Sequence, residues 1–120
     1  MPNTLSKKQR LNGEIKIKTL FQKGNIIIAY PLRICYLSTN DEDNQMMVSV
    51  PKKTFKRAVK RNLLKRRIRE AYRLNKHILD QLTTEKGAHI QIAFSYISPD
   101  ISSFEQIQHS VVKAFRKIKL

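Results

Sequence analysis

The side chains best suited to chemistry are the cations concentrated in residues 52–76, KKTFKRAVKRNLLKRRIREAYRLNK. Twelve of these 25 residues are Lys or Arg, which is half of the 24 in the chain, and Glu70 is the acid among them. Lysine and arginine bind phosphate through charge and N–H donors, so the chemistry indicated is recognition of a polyanion. The run contains no pattern of paired carboxylates, histidines or activated nucleophiles. The pattern of this run therefore indicates binding rather than catalysis by its side chains.

Apolar spacing indicates that these cations lie on a helix. Leu64, Ile68, Ala71, Ile78 and Leu82 recur at helical intervals and predict a buried face. Four cations spaced four apart occupy an adjacent face about 120° wide, with Asn62 and Arg66 between them: Arg61, Lys65, Arg69 and Arg73. Like charges at this spacing cost a few tenths of a kcal/mol per pair in an isolated helix. The pattern therefore favours a binding surface for a polyanion over a merely solvated face.

The composition is that of one folded domain with an anionic partner. The chain has 120 residues, 41% of them hydrophobic, and a formal charge of +15 at pH 7, so the partner classes are nucleic acid and anionic membrane. The longest apolar run, residues 26–30, is too short to span a bilayer, and no signal peptide is evident. Cys35 is the single cysteine, which fits a reducing cytoplasm, and the one cysteine and three histidines lack metal-ligand spacing.

Shorter elements precede the basic helix. Residues 13–23 form a predicted helix with Asn12 as its cap and Gly24 just past its end. Residues 26–37 indicate one extended segment, with Pro31 at an edge or a bulge. The polar residues 38–45 predict a hairpin connection to a return strand at residues 46–50.

The basic helix itself is predicted to start after Thr54 as N-cap and to end at Leu82 or Thr83. Residues 89–96 alternate as a strand. A last helix follows, with a capping box from either Ser102 and Glu105 or Ser103 and Gln106. Strands with helices on one side predict an α+β fold, a two-layer α/β sandwich.

A long composite motif resembles the protein component of bacterial ribonuclease P. Its signature helix is matched by Ala58-Val59, Arg61-Asn62, Lys65-Arg66 and the run from Ile68 to Tyr72. In that family the helix follows a short S-V-x-K-K strand end, and this chain has Ser49-Val50-Pro51-Lys52-Lys53. A second family feature, a short N-terminal helix ending F-x-x-G, is matched by Phe21-Gln22-Lys23-Gly24.

The resemblance implies a fold and two RNA-facing regions. The fold would be a small mixed sheet with helices, in which a left-handed βαβ crossover carries the basic helix, although the general rule predicts a right-handed one. The RNA-binding residues implied by the motif, completed by two further cations of the same run, are Lys52, Lys53, Arg57, Arg61, Asn62, Lys65, Arg66, Arg69 and Arg73. A cleft for the single-stranded 5′ leader of precursor tRNA would be lined by Ile17, Phe21, Cys35 and Tyr36.

This chain departs from the family pattern at three places. Ile17 stands where the family commonly has a second phenylalanine, and Cys35 aligns with a position that is often aromatic. An aliphatic residue offers no ring on which a base can stack. The loop between Lys53 and Ala58 is one residue longer than the usual family spacing and lacks its glycine.

The implied function is that of an accessory subunit in the cytoplasm. The partners would be a catalytic RNA and precursor tRNA, with one protein per RNA and no membrane. The RNA would catalyse hydrolytic removal of the 5′ leader through Mg²⁺. The protein would strengthen substrate binding and lower the Mg²⁺ concentration required for cleavage. Three alternatives stay open at this point: a small ribosomal protein, a protein-only nuclease, which would need an acidic metal site, and an interfacial membrane helix.

Overall fold

The computed structural model describes residues 10–11, 13–40 and 43–120, in which three helices and four strands are formed. In chain order they are α1 (Glu14–Lys23), β1 (Asn25–Ala29), β2 (Leu32–Thr39), β3 (Gln45–Ser49), α2 (Ala58–Lys86), β4 (His89–Tyr96) and α3 (Phe104–Lys117). The predicted α+β class, with a small mixed sheet and helices packed on it, is confirmed.

The strand order in the sheet is β1-β2-β4-β3. Strand β2 pairs antiparallel with both β1 and β4, so that Cys35 lies opposite Ile26 on one side and Ala93 on the other. Strand β3 pairs parallel with β4, and α2 connects these two neighbours. The βαβ unit implied by the resemblance is therefore present, and the left-handed sense of its crossover stays a prediction.

Residues 26–37 form two strands, so the prediction of one extended segment is wrong. The chain reverses at Tyr30 and Pro31, which are joined by a cis peptide bond, and β1 folds back on β2 as an antiparallel hairpin. Pro31 lies in this turn rather than at an edge or a bulge, and there its missing N–H costs no ladder hydrogen bond. The run of Ile and Tyr indicated strand correctly but contained no turn signal other than the proline.

Residues 38–45 do not make the predicted hairpin connection. Strand β4 lies between β2 and β3, so the strands on either side of this connection are not neighbours. Thr39 still belongs to β2 and Gln45 already belongs to β3. Hydrophobic alternation marks each strand but does not specify that a later strand inserts between two earlier ones.

The main core lies between one face of the sheet and helices α2 and α3. Leu64 of α2 and Val111 of α3 are fully buried in it, as their helical spacing predicts. Aromatic rings join the three elements, because the Tyr72 ring centroid lies 6.0 Å from that of Phe94 and 6.1 Å from that of Phe115. This packing determines which side of α2 faces outward.

Helix α1 packs on the opposite face of the sheet, which corrects the prediction that all helices lie on one side. Its Leu20 is fully buried in a second cluster with Leu11, Cys35 and Ala93. Successive side chains of a strand point to opposite faces, so Cys35 faces α1 while its neighbour Tyr36 faces the main core.

The ends of α2 differ from the sequence prediction. Arg57, not Thr54, is the N-cap residue, and the helix continues to Lys86 rather than ending at Leu82 or Thr83. It stops at Gly87, which adopts the left-handed conformation (φ 65°, ψ 29°) that favours glycine. The basic helix therefore has 29 residues.

The other predicted caps have mixed outcomes. Of the two capping boxes proposed for the last helix, Ser103 with Gln106 is the one formed. The predicted cap Asn12 lies outside the described residues, while Gly24 follows α1 as expected. None of the helices in the described ranges combines the length and the hydrophobicity of a membrane-spanning segment.

Candidate nucleic-acid interface

A basic surface covers the outer side of α2 and the loop before it. We call it the α2 surface and define it by seven residues: Lys52, Lys53, Arg57, Asn62, Lys65, Arg66 and Arg69. Lys65 is half-buried and the other six are exposed. The opposite side of the helix, at Leu64 and Ile68, is fully buried in the main core. Core packing therefore turns these polar side chains toward solvent.

The loop that carries the first three of these cations is held in place by Arg61. One terminal nitrogen of the Arg61 guanidinium donates to the backbone carbonyls of Phe55 (2.7 Å) and Lys56 (2.9 Å). The Phe55 ring is itself buried and packs edge-on to Tyr96, with 5.7 Å between ring centroids. Arg61, predicted to contact RNA, is thus half-buried and braces the loop.

The last cation of the predicted set, Arg73, is engaged within the helix. Its side chain is 20% exposed and makes an ion pair with Glu70, one turn earlier. A neighbouring carboxylate offsets part of its charge, so Arg73 contributes less to the positive potential than exposed Arg69. The cationic part of α2 that faces solvent is therefore concentrated in its first half.

Among the described residues, the other face of the sheet carries exposed apolar side chains beside α1, and we call this region the α1 cleft. Phe21 is 49% exposed, Ile17 is half-buried, and both lie next to fully buried Leu20. Cys35 forms part of the floor, where its Sγ donates to the Leu20 carbonyl at 3.3 Å. Burial raises the pKa of the Cys35 thiol above its usual range, opposed by a weaker effect of the Arg33 charge, so the thiol stays neutral near pH 7.

Gly24 brings α1 close to β2 at this cleft. Its φ of −71° is accessible to any residue, so the need for glycine is spatial. A Cβ at this position would lie 2.4 Å from the Leu20 carbonyl oxygen and 2.6 Å from the Cys35 Sγ. The sequence analysis interpreted Gly24 as the residue that follows the helix end. The structure adds that a side chain at this position would clash with α1 and β2.

Three residues of the cleft were missed by the sequence prediction. Ile26 and Ile28 of β1 are 51% and 57% exposed, and they pair directly with Cys35 and Arg33. Directly paired residues share one face of a sheet, so both isoleucines and exposed Arg33 lie on the α1 side. A β1–β2 turn at Pro31 was the signal that could have located them.

Tyr36 is not brought together with the other three predicted cleft residues, which corrects that assignment. It is 6% exposed and belongs to the main core on the opposite face. Its hydroxyl accepts from the Lys119 backbone N–H at 3.4 Å. The strand alternation that separates Tyr36 from Cys35 makes a shared cleft impossible for the two side chains.

In the part of the chain that the structure describes, no group of three or more His, Cys, Asp or Glu residues could hold a metal ion. The described residues thus form two candidate recognition surfaces on opposite faces of the sheet. One presents cations and an amide from a rigid helix. The other presents a ring, aliphatic walls and one guanidinium along a cleft.

Comparison with known proteins identifies the family. The ribonuclease P family model matches residues 5–119. The ribonuclease P protein component of Porphyromonas gingivalis is 40% identical over 117 residues, which cover 95% of this chain and 85% of the relative. That of Chlorobium phaeobacteroides is 34% identical over 131 aligned residues, covering 98% and 90%.

Solved structures show the same fold. The ribonuclease P protein from Thermotoga maritima superposes with a TM-score of 0.75 at 17% identity, covering 92% of this chain and 97% of that one. The Staphylococcus aureus ribonuclease P protein gives a TM-score of 0.62 at 21% identity, covering 91% and 94%. With the sequence relatives and the matched family model, these findings show that the chain belongs to the ribonuclease P protein family.

Proposed function

We propose that this member of the ribonuclease P protein family binds a catalytic RNA through the α2 surface and the 5′ leader of precursor tRNA through the α1 cleft. The complex would remove the leader endonucleolytically and so produce the mature 5′ end of the tRNA. One protein would act with each RNA.

The α2 surface suits a folded RNA. Folded RNA is recognised largely through its shape and backbone, and lysine and arginine supply the phosphate contacts. Arg66 and Arg69 are exposed on a helix whose other side packs in the core, so binding through them costs little backbone conformational entropy. The braced loop extends this surface through Lys52 and Lys53.

The cleft suits a single strand. The exposed ring of Phe21 offers a stacking platform for a base, and the exposed isoleucines of β1 provide apolar walls. Arg33 adds a positive charge on the same face. Because Ile17 and Cys35 stand where rings are common in the family, we propose that stacking in this chain depends mainly on Phe21.

The protein would act by binding and positioning. Mg²⁺ held by the RNA would supply the charge stabilisation and the activated water for hydrolysis. The cations of the α2 surface would offset phosphate repulsion between the two RNAs, which lowers the Mg²⁺ concentration needed for their association. Holding the leader in the cleft would fix the substrate beside the site of cleavage.

The observation that carries this proposal is the outward-facing α2 surface on a chain of this family. The test is cleavage of precursor tRNA at low Mg²⁺ by the protein alone, the candidate catalytic RNA alone, and both together. We expect cleavage at the mature 5′ end only in the combined reaction. If folded protein gives no enhancement, the accessory role is refuted and association with ribosomes becomes the next assay.

A further inference from the structure

A wide groove lies between α2 and α3, away from both surfaces described above. Its volume is about 790 Å³, and its α2 wall includes Asn75. The other wall is one stripe of α3, with Lys113, Arg116 and Lys117 at its C-terminal end. All three cations are exposed. We call this feature the α3 groove.

The positive charge of the α3 groove exceeds what the helix end requires. The C-terminus of a helix carries a partial charge of about −0.5, which a single cation balances. Three cations line this wall, and the acid on the same wall, Glu105, lies eight residues earlier. At 1.5 Å per residue this is about 12 Å, longer than the screening length of ~8 Å at physiological salt. A surplus of positive charge therefore faces the groove.

A side-chain amide hydrogen bond joins the two walls of the α3 groove. The Asn75 Nδ2 donates to the Gln108 Oε1 of α3 at 3.2 Å and, within α2, to the Ala71 carbonyl at 2.8 Å. Farther along, an Arg67 terminal nitrogen donates to the Ser102 carbonyl at 2.6 Å, linking α2 to the start of α3. The groove is thus preformed and combines cations with amides, the groups that contact phosphates and ribose hydroxyls.

The α3 groove faces a different direction from the α2 surface. Asn75 follows Arg69 by six residues, which places it about 120° away around the helix. A rigid RNA helix resting on Arg66 and Arg69 would therefore leave the groove open. Filling it requires a separate stretch of backbone.

We propose that the α3 groove binds the phosphate backbone of a second RNA segment, distinct from the segment on the α2 surface. This inference rests on the proposed function, in which the α2 surface already binds RNA. RNA is favoured over an acidic peptide because an RNA bound at α2 presents its other segments at high effective concentration. Lys113, Arg116 and Lys117 contact phosphates, and the groove amides contact ribose.

The first test removes the three cations. The variant Lys113→Gln/Arg116→Gln/Lys117→Gln should bind the catalytic RNA with a salt dependence (log affinity against log salt) shallower by about 2. The control Lys18→Gln/Lys23→Gln/Lys86→Gln removes the same charge, from +15 to +12, at exposed positions outside the α2 surface and the α3 groove. It should retain nearly the wild-type slope. Equal slopes for the two variants would overturn the proposal.

A parallel variant separates this inference from the proposed function. Arg66→Gln/Arg69→Gln should also bind RNA with a shallower slope. If this variant is impaired and the α3 variant is not, the second contact is refuted while the proposed function stands. If only the α3 variant is impaired, both the proposed role of the α2 surface and the idea of a second contact fail.

Directed cleavage can then locate the two RNA segments. Cys35 is the chain's single cysteine and is buried, so a Cys35→Ala background accepts a cleavage reagent at one introduced thiol. His109→Cys places the reagent in the α3 groove, and Val59→Cys places it on α2, where Val59 is 79% exposed. We expect cuts in two different RNA segments. Identical cut sites, or no cuts from position 109, would overturn the proposal.

Discussion

Arg61 and Arg69 carry the same charge two turns apart on α2, and the structure predicts opposite consequences of removing them. Arg61 is half-buried and donates to the carbonyls of Phe55 and Lys56, whereas Arg69 is exposed. Methionine preserves the length and helix propensity of arginine while removing its charge and donors. The comparison of Arg61→Met with Arg69→Met therefore distinguishes a brace from a phosphate contact.

The expected loss of stability for Arg61→Met follows from its two charge-assisted hydrogen bonds. Each contributes about 1.5–3 kcal/mol when well shielded, and half-exposure reduces this. Removing a cation near the helix N-terminus also relieves an unfavourable interaction with the helix dipole, which raises the free energy of unfolding by about 0.5 kcal/mol. The net decrease in the free energy of unfolding is about 2 kcal/mol, which lowers the Tm of a 120-residue domain by about 8 °C. Arg69→Met should change the free energy of unfolding by less than about 0.5 kcal/mol.

Two assays test this pair of variants. Thermal unfolding should separate them by several degrees, and titration of the catalytic RNA at several salt concentrations should show a shallower slope, by about 0.7–0.9, for Arg69→Met. Arg61→Lys is the matched control, because it keeps the charge but cannot reproduce the fork of the guanidinium. Wild-type stability of Arg61→Met, together with the slope change seen for Arg69→Met, would refute the brace.

Three further predictions concern the cleft and the core. Phe21→Ala should weaken binding of leader-containing tRNA by about 1–3 kcal/mol, as expected for the loss of one base stack, and should leave binding of leaderless tRNA unchanged. An equal loss of affinity for both RNAs would show that Phe21 has a structural role. Gly24→Ala should lower the Tm through a clash costing about 1–3 kcal/mol. Gly87→Ala should lower it less, because the added Cβ meets open space and only the left-handed conformation is strained. A larger decrease in Tm for Gly87→Ala would contradict the close approach at α1. Burial raises the pKa of the Tyr72 hydroxyl in the folded protein, with a smaller contribution from the charge of Asp80. The stability linked to this group is therefore fully present below the unfolded pKa near 10 and falls as pH rises above it. The free energy of unfolding of Tyr72→Phe should depend less on pH above pH 10, and an unchanged pH dependence would assign the loss of stability to other groups.

Local patterns predicted the helices well because helical contacts are made within a few residues of each other. The spacing of Leu64, Ile68 and Ala71 defined the buried side of α2, and all three are fully buried. The capping box at Ser103 and Gln106 was likewise visible in the sequence. Errors at the ends of α2 arose where polar residues, such as those after Thr83, can belong to a helix or a loop with little difference in free energy.

Sheet order was not predictable from these patterns. Placing β4 between β2 and β3 depends on pairing between residues about 50 positions apart, such as Met46 with Ile92. Alternation identifies a strand without identifying its neighbour. For the same reason the predicted cleft did not include Ile26 and Ile28, because the face of the sheet on which they lie depends on the β1–β2 register.

The fold divides the predicted RNA-binding residues into exposed side chains and side chains that bind other protein groups. Exposed Asn62, Arg66 and Arg69 agree with a binding surface, while Arg61 and Arg73 are engaged by protein groups. A helical wheel assigns a direction to each side chain but cannot include a loop carbonyl or a carboxylate that a long side chain reaches. Which cations remain available to RNA is therefore a property of the folded chain.

The dimensions of the elements explain why, among the described residues, apolar side chains stay exposed beside α1. The ten residues of α1 form a helix about 15 Å long, whereas the eight residues of β2 extend about 26 Å and four strands are about 19 Å wide. One short helix held against Cys35 by Gly24 cannot cover such a face. The exposed Ile26 and Ile28 lie on the uncovered part, and burying them against RNA bases would recover apolar contact that the chain itself does not provide. The opposite face is closed by α2 and α3, which leaves only their outer sides for phosphate. The division that we propose, with stacking on one face and charge on the other, thus follows from the length of α1 and the alternation along β2.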